Sequence, residues 1–428
     1  MFSVFILLTG SLILALFRNS FFYDYGVLFV IFCFSLAYIF DITSSKLYKP
    51  YSVALFMALV VRLLLLFYDV YTNNPLNIPM LGGELQSDPL GFYTNAVLFS
   101  EGYPIYYGGN FSRLIGVVFA LTGTSRLWGE FIVLLFSVAV IHVVISILQE
   151  FKVCQSIAIK SVLLLGILPN FSILSVVFRR ETVIAFFVTV SLFFFIKWLL
   201  GKGIFNFVFA IAFSFVASLF HSGAGLLSIP YIFVLFIYNP YIGKYTLKVK
   251  NIVLALLFFS FFVAVFFSFR DMFFSKIGDF SDLSSVASVG DRGGSSYASY
   301  VGDSSSILRI IQYTLPRYLY FMFSPFPWQW RSLADVITFL FSSFFYLYIV
   351  YKSLKQIVGS QKDRMQTVLT AVFFTSVFIS VVFSWGVTNT GTAVRHRDKF
   401  ISIYILMLAI CENMRYQNRL NKLVNKGV

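Results

Sequence analysis

Hydrophobic residues in this chain come in long unbroken runs, not in alternation with polar ones. Twelve runs reach or approach the roughly 20 apolar residues that a membrane-crossing helix needs. They cover about 1–17, 21–40, 51–70, 129–148, 157–177, 181–199, 203–220, 223–239, 251–269, 333–351, 366–386 and 399–413. Two further stretches, 111–123 and 307–324, are shorter or interrupted by Arg and Pro. They read as re-entrant or interfacial helices. A transmembrane β-barrel would alternate apolar and polar positions along each strand, so the pattern predicts an all-α polytopic membrane bundle. It forms a single integral membrane domain, 1–428, of about 12 transmembrane helices. The first 17 residues lack a basic flank and a small-residue cleavage site, and read as a retained helix.

Composition narrows the picture. Of the 428 residues, 59% are apolar and only 12% charged, against about a quarter charged in an ordinary soluble domain. The mean hydropathy is +0.86. A water-soluble surface cannot be built from so few charges, and a disordered chain needs the opposite composition. Cys33 and Cys411 lie in apolar runs and Cys154 in a short basic loop, with no spacing that suggests a metal site or a disulfide framework. Neither a metal nor a cofactor is expected.

The net charge is +14. In a membrane protein such an excess is first the mark of cytoplasmic loops, and no nucleic-acid partner is expected. Six segments, near 41–50, 149–160, 197–202, 240–250, 352–365 and the tail 414–428, hold 17 Lys and Arg; the acids in or next to them are Asp41, Glu150, Asp363 and Glu412. Placing all six inside gives twelve crossings, both termini cytoplasmic, and two long external loops, 71–128 and 270–332. The second contains a Gly/Ser/Asp-rich stretch, Gly278–Ser306, that reads as a loop with no core of its own.

Fourteen basic residues then face outward, and several cluster. Arg179-Arg180-Glu181 stands where two spans meet. Arg395-His396-Arg397 stands in the last external loop. Arg317 and Arg331 flank Pro325-Phe326-Pro327-Trp328-Gln329-Trp330. A guanidinium keeps its charge and grips phosphate oxygens with two parallel donors, so outer arginines at the mouth of an apolar bundle suit a diphosphate. The bland reading is that they snorkel to lipid headgroups. His221, at the outer end of a span, is a candidate proton acceptor or an interfacial histidine bonded to backbone. Asp88, in Ser87-Asp88-Pro89, is a candidate base or a helix cap ahead of a first-turn proline, with Glu84 nearby. Trp328 suits either an interfacial anchor or a wall for stacking a sugar ring. Arg62 lies inside a span, where Asp69 on the same helical face is a plausible partner, and His142 reads as structural.

These pieces, taken in order, resemble the Wzy/EpsG-type polymerases of bacterial surface polysaccharides, multispan glycosyltransferases broadly similar to the GT-C architecture. The resemblance rests on Asp88 with Tyr93, on Arg179-Arg180-Glu181, on Phe220-His221-Ser222-Gly223-Ala224, on Pro325-Phe326-Pro327-Trp328, and on Gly391-Thr392-Ala393-Val394-Arg395-His396-Arg397. It implies transfer of a polyprenyl-diphosphate-linked oligosaccharide onto a lipid-linked repeat unit at the outer face of the bacterial inner membrane. The product would be O-antigen, capsule or exopolysaccharide. It implies Asp88, His221 and Arg395 as catalytic groups. It implies Arg179, Arg180, Glu181, Arg317, Trp328, Arg331, His396 and Arg397 as substrate-binding ones. The implied partners are the lipid-linked oligosaccharides, the bilayer, a chain-length regulator and a flippase. The chain departs from other GT-C enzymes in lacking an adjacent pair of acids in its first external loop. Alternatives are a flippase or exporter of the same lipids, an O-antigen ligase, or another GT-C glycosyltransferase. A purely structural membrane protein would leave the outer arginines unexplained. The orientation predicts that a cysteine placed at Asn389 reacts with a membrane-impermeant thiol reagent added to intact cells; labelling only after the cytoplasm is opened would reverse the topology.

Overall fold

The computed structural model describes residues 2–72, 88–246, 248–268, 296–301, 307–359 and 363–424. Most of Gly278–Ser306, and Glu84, lie outside them. The described chain is helical almost throughout. Its sheet is one short antiparallel pair, β1 Tyr238–Asn239 with β2 Lys244–Tyr245. Six helical segments are long and apolar enough to cross a membrane: Tyr23–Ser44, Lys49–Tyr71, Arg126–Glu150, Glu181–Leu199, Leu333–Gly359 and Arg364–Trp385. Such an inventory is that of a multi-pass all-α membrane bundle, in which every backbone polar group must be satisfied within its own helix.

Several apolar runs are not single straight helices. The run 157–177 divides into α7 (Gln155–Ile167) and α8 (Pro169–Leu174). Pro169 has no N–H to donate, and its ring turns Leu168 out of the helical region. The run 223–239 opens as a 3-10 turn, Ser222–Leu227, before α11 (Ser228–Ile237). Between α15 (Leu333–Thr338) and α16 (Phe344–Gly359) the helix widens for one π turn. In the region 71–128, α4 (Asp88–Ser100) and α5 (Gly109–Thr122) pack on one another. At 1.5 Å per residue each is about 20 Å long, short of a bilayer core. Gly108, at φ +88, makes the turn between them; a Cβ there would strike Ser112 Oγ and the Phe92 ring.

The contacts divide the chain into two compact units, Met1–Ile145 with Gln155–Phe186, and Ser146–Cys154 with Phe187–Val428. In the first, α3 (Ser52–Tyr71) lies against α7 through Ala54, Ala58 and Gly166, small residues that let the backbones approach. Fully buried Arg62 does not pair with Asp69, correcting the expectation. Seven residues along a helix is about 10 Å, too far for one side chain. Arg62 donates instead to Ser137 Oγ at 2.8 Å, to its own helix at Ala58 O at 3.0 Å, and across the helix gap to Gly166 O at 2.5 Å. Asp69 pairs with Arg126, the first residue of α6 (Arg126–Glu150), at 2.5 Å, and Arg126 also holds Glu130 at 2.8 Å. His142 packs edge-on to Tyr48 and lies 2.9 Å from Tyr38 Oη, a structural role.

In the second unit α17 (Arg364–Trp385) is central. Asp363 caps its start by accepting from Gln366 N at 2.7 Å. It packs against α11, α14 (Ile307–Phe323), α16 and α19 (Ile401–Val424). The last of these carries helix well into the segment 414–428. The buried acids of the first unit supply a test. Arg126→Met should lower stability by about 3–5 kcal/mol, because it strands two buried carboxylates, and adding Asp69→Asn should recover part of the loss. Thermal unfolding in detergent measures both, and an unchanged midpoint in Arg126→Met would show that the triad does not hold the unit.

Candidate functional site

In the second unit, α10 (Ile204–Phe220) ends at His221, which leaves the helix in extended conformation. His221 stacks on Phe383 of α17, ring centres 5.3 Å apart and planes 22° apart. His396 closes the group, edge-on to His221 at 5.1 Å and 5.2 Å from Phe383. The Phe220-His221-Ser222-Gly223-Ala224 sequence has a physical reason here. A Cβ at Gly223 would sit 2.9 Å from the Phe383 ring and 3.2 Å from His221, so only glycine lets the turn close on the aromatic pair.

His396 stands on α18 (Thr390–Asp398), whose first turn is capped by Asn389 Oδ1, accepting from Gly391 N at 2.9 Å and Thr392 N at 3.3 Å. Its last turn carries Arg395, His396 and Arg397. Neighbours on a helix point about 100° apart, so this cluster is split by the helix itself. His396 joins the histidine pair and Arg395 is half-buried. Arg397 turns inward, 1% exposed. It donates to Met322 O and, at 2.9 Å, to Ser324 O, which also accepts from Ser343 Oγ at 2.5 Å. Those carbonyls belong to the C-terminal end of α14, where a cation is favoured. Arg397 thus anchors the Ser324-Pro325 corner. Arg317 is likewise buried, its guanidinium 4.5 Å above the Trp385 ring. Next to Arg397, Asp398 accepts from Tyr346 Oη at 2.9 Å, while its other oxygen has no partner among the described residues. Burial pushes the Asp398 carboxyl up to about 7, outweighing the Tyr346 hydrogen bond and the Arg397 charge, which pull it down. The same burial lowers Arg397.

Beyond this corner the chain makes a 3-10 turn, Pro327–Gln329. Phe326 and Trp328 are stacked, ring centres 4.7 Å apart and planes 5° from parallel. Trp328 remains 65% exposed. A cavity of about 220 Å³ opens beside it, with Tyr300, Pro325, Trp328, Gln329, Arg331 and Asp335 in its lining. The Ser296–Tyr297 segment that borders it is tied to the extended segment before α18: Tyr297 N donates to Thr388 O at 2.8 Å and Tyr297 Oη to Val387 O at 3.1 Å.

Asp88, Arg179, Arg180 and Glu181 belong to the first unit. Asp88 opens α4 and accepts from Tyr107 Oη. Tyr107 packs on Phe92 at 5.3 Å, and the Arg180 guanidinium lies 5.6 Å from the same Phe92 ring. Asp88 and Arg180 therefore flank one aromatic residue. Tyr93 meets Phe178 edge-on at 5.5 Å, and burial raises its hydroxyl. Glu181 starts α9 (Glu181–Leu199) and is buried.

The sequence-predicted residues His221 and His396 are brought together, and Trp328 and Arg331 share one cavity. Phe383, Tyr300, Gln329 and Asp335 were not singled out. Only Gln329 could have been, from its place between the two tryptophans. Among the described residues no group of three or more His, Cys, Asp or Glu could hold a metal ion. No protein-family model, curated protein or solved structure matches the chain. Asp398 carries a pH dependence. Its folded-state pKa lies above that of the unfolded chain, so the fold binds the extra proton between about pH 4 and 7. Stability should fall as pH rises through that window, and Asp398→Asn should flatten the fall. Equal slopes for the two proteins in unfolding scans would remove Asp398 as its source.

Proposed function

We propose that this protein is a glycosyltransferase that extends a surface polysaccharide by joining lipid-linked repeat units at the outer face of the bacterial cytoplasmic membrane. The observation that carries the reading is the packing of His221 and His396 around Phe383, on the same helical unit as Arg395 and an aromatic cavity. In this reading the shorter apolar helices complete twelve crossings, with both termini inside. Prenyl tails lie against the apolar helix faces, and the diphosphate and sugars lie at the outer ends.

The reaction follows from the chemistry of the groups. The acceptor sugar's hydroxyl oxygen attacks the anomeric carbon of the donor glycan. The bond from that carbon to the diphosphate breaks, and its electron pair leaves on the polyprenyl diphosphate. Negative charge grows on the leaving group, and Arg395 stabilises it there. The imidazole of His221 accepts the hydroxyl proton, and His396 orients it. Asp88, whose carboxylate accepts from Tyr107 within the first unit, is not assigned the base. Arg397 and Arg317, being buried, act as supports: Arg397 fixes the Ser324-Pro325 corner from which the tryptophans project.

Cells lacking the protein should accumulate single lipid-linked repeat units on the outer face and make no long chains. Units trapped on the cytoplasmic side would favour a flippase and sink the polymerase reading. Arg395→Ala and His221→Ala should abolish polymer while the protein remains in the membrane at normal level. Normal chain-length ladders from both would remove the assigned site.

A further inference from the structure

The cavity beside Trp328 is smaller than the roughly 300–1,000 Å³ that holds a drug-sized ligand, and about 220 Å³ suits a single sugar ring. Its walls present flat faces and hydrogen-bond donors. One face of Trp328 is covered by Phe326, while the residue stays largely exposed, so its other face is open to stack on a ring. Gln329 spends its carbonyl oxygen on Phe326 N at 2.8 Å, leaving its amide N–H groups to donate. The indole of Trp328 can only donate. In the one acid of the lining, Asp335, Oδ2 is taken up: it accepts from Arg331 N at 2.9 Å, Ser332 N at 3.0 Å and Ser332 Oγ at 3.2 Å. The Arg331 side chain, in contrast, is exposed and makes no hydrogen bond or ion pair among the described residues. A donor-lined aromatic cavity with an unspent guanidinium calls for a ligand that brings acceptors and a negative charge.

We infer that this cavity binds a carboxylate-bearing sugar of the glycan, a uronic-acid type of pyranose, with Trp328 stacked on the ring and Arg331 paired to the carboxylate. The inference rests on the reading of the protein as one that handles glycans, and names the class of sugar. A planar, two-pronged donor matches a carboxylate in geometry as well as charge.

The test uses the purified full chain in detergent, with tryptophan fluorescence as readout and digalacturonic acid and digalactose as probes. These differ chiefly in the carboxylates. Digalacturonic acid should bind at least about tenfold more tightly, the worth of one charge-assisted hydrogen bond. Arg331→Gln should bring it down to the level of digalactose without changing digalactose binding, and Trp328→Ala should weaken both. Equal affinity for the two sugars in the unaltered protein, or no effect of Arg331→Gln, would overturn the inference. So would glycerol 3-phosphate binding as tightly as digalacturonic acid and independently of Trp328, which would assign Arg331 to lipid headgroups. Binding is read without turnover, so the two proposals fail separately. A protein that prefers the acidic sugar but never elongates a chain loses only the polymerase reading. One that elongates neutral glycans with no preference loses only this one.

Discussion

A charge inside an apolar bundle must be met there, because removing it from water costs several kcal/mol even after relaxation. Three arginines show how this chain satisfies that demand. Arg62 has no acid paired with it among the described residues, and instead binds carbonyl and hydroxyl oxygens that small residues bring within reach. Arg126 holds two acids at once. Arg397 binds the carbonyl end of a helix. In each case the guanidinium joins segments far apart in sequence. The polar contacts that solve the burial problem also fix which helices are neighbours within a unit.

The same constraint sorts four arginines of the second unit into two kinds. Arg397 and Arg317 are spent on the scaffold, one on carbonyls and one over Trp385. The Arg331 side chain is exposed and unpaired among the described residues, and Arg395 is only half-buried. Function in this account belongs to the second kind, and the first kind aims it. The Ser324-Pro325 corner links the two: Arg397 holds it through the Ser324 carbonyl, and the stacked Phe326–Trp328 pair follows directly after it.

Much of this was legible in the amino-acid order. Continuous apolar runs announced an all-α membrane bundle, and six of them are, among the described residues, helices long and apolar enough to span it, while the equally long run 157–177 is broken at Pro169. His221 could be singled out because it ends an apolar run, and His396 because it stands between two arginines. Phe383, which brings them together, could not: it is one of 55 phenylalanines, and nothing local separates it from the others. Arg62 misled for a related reason. Asp69 lies on its helical face, but two turns away. The true partners, Ser137 and Gly166, come from helices whose contact no local pattern encodes. The Arg395-His396-Arg397 cluster read as a single cationic patch because sequence lists neighbours side by side, whereas a helix turns each to a different side.

The most direct test is to place the purified protein alone in lipid vesicles with a synthetic polyprenyl-diphosphate-linked trisaccharide and separate the products by size. Products longer by whole repeat units are expected, with free polyprenyl diphosphate released in step. Trisaccharide that crosses the bilayer while remaining a single unit would contradict this and make the protein a transporter.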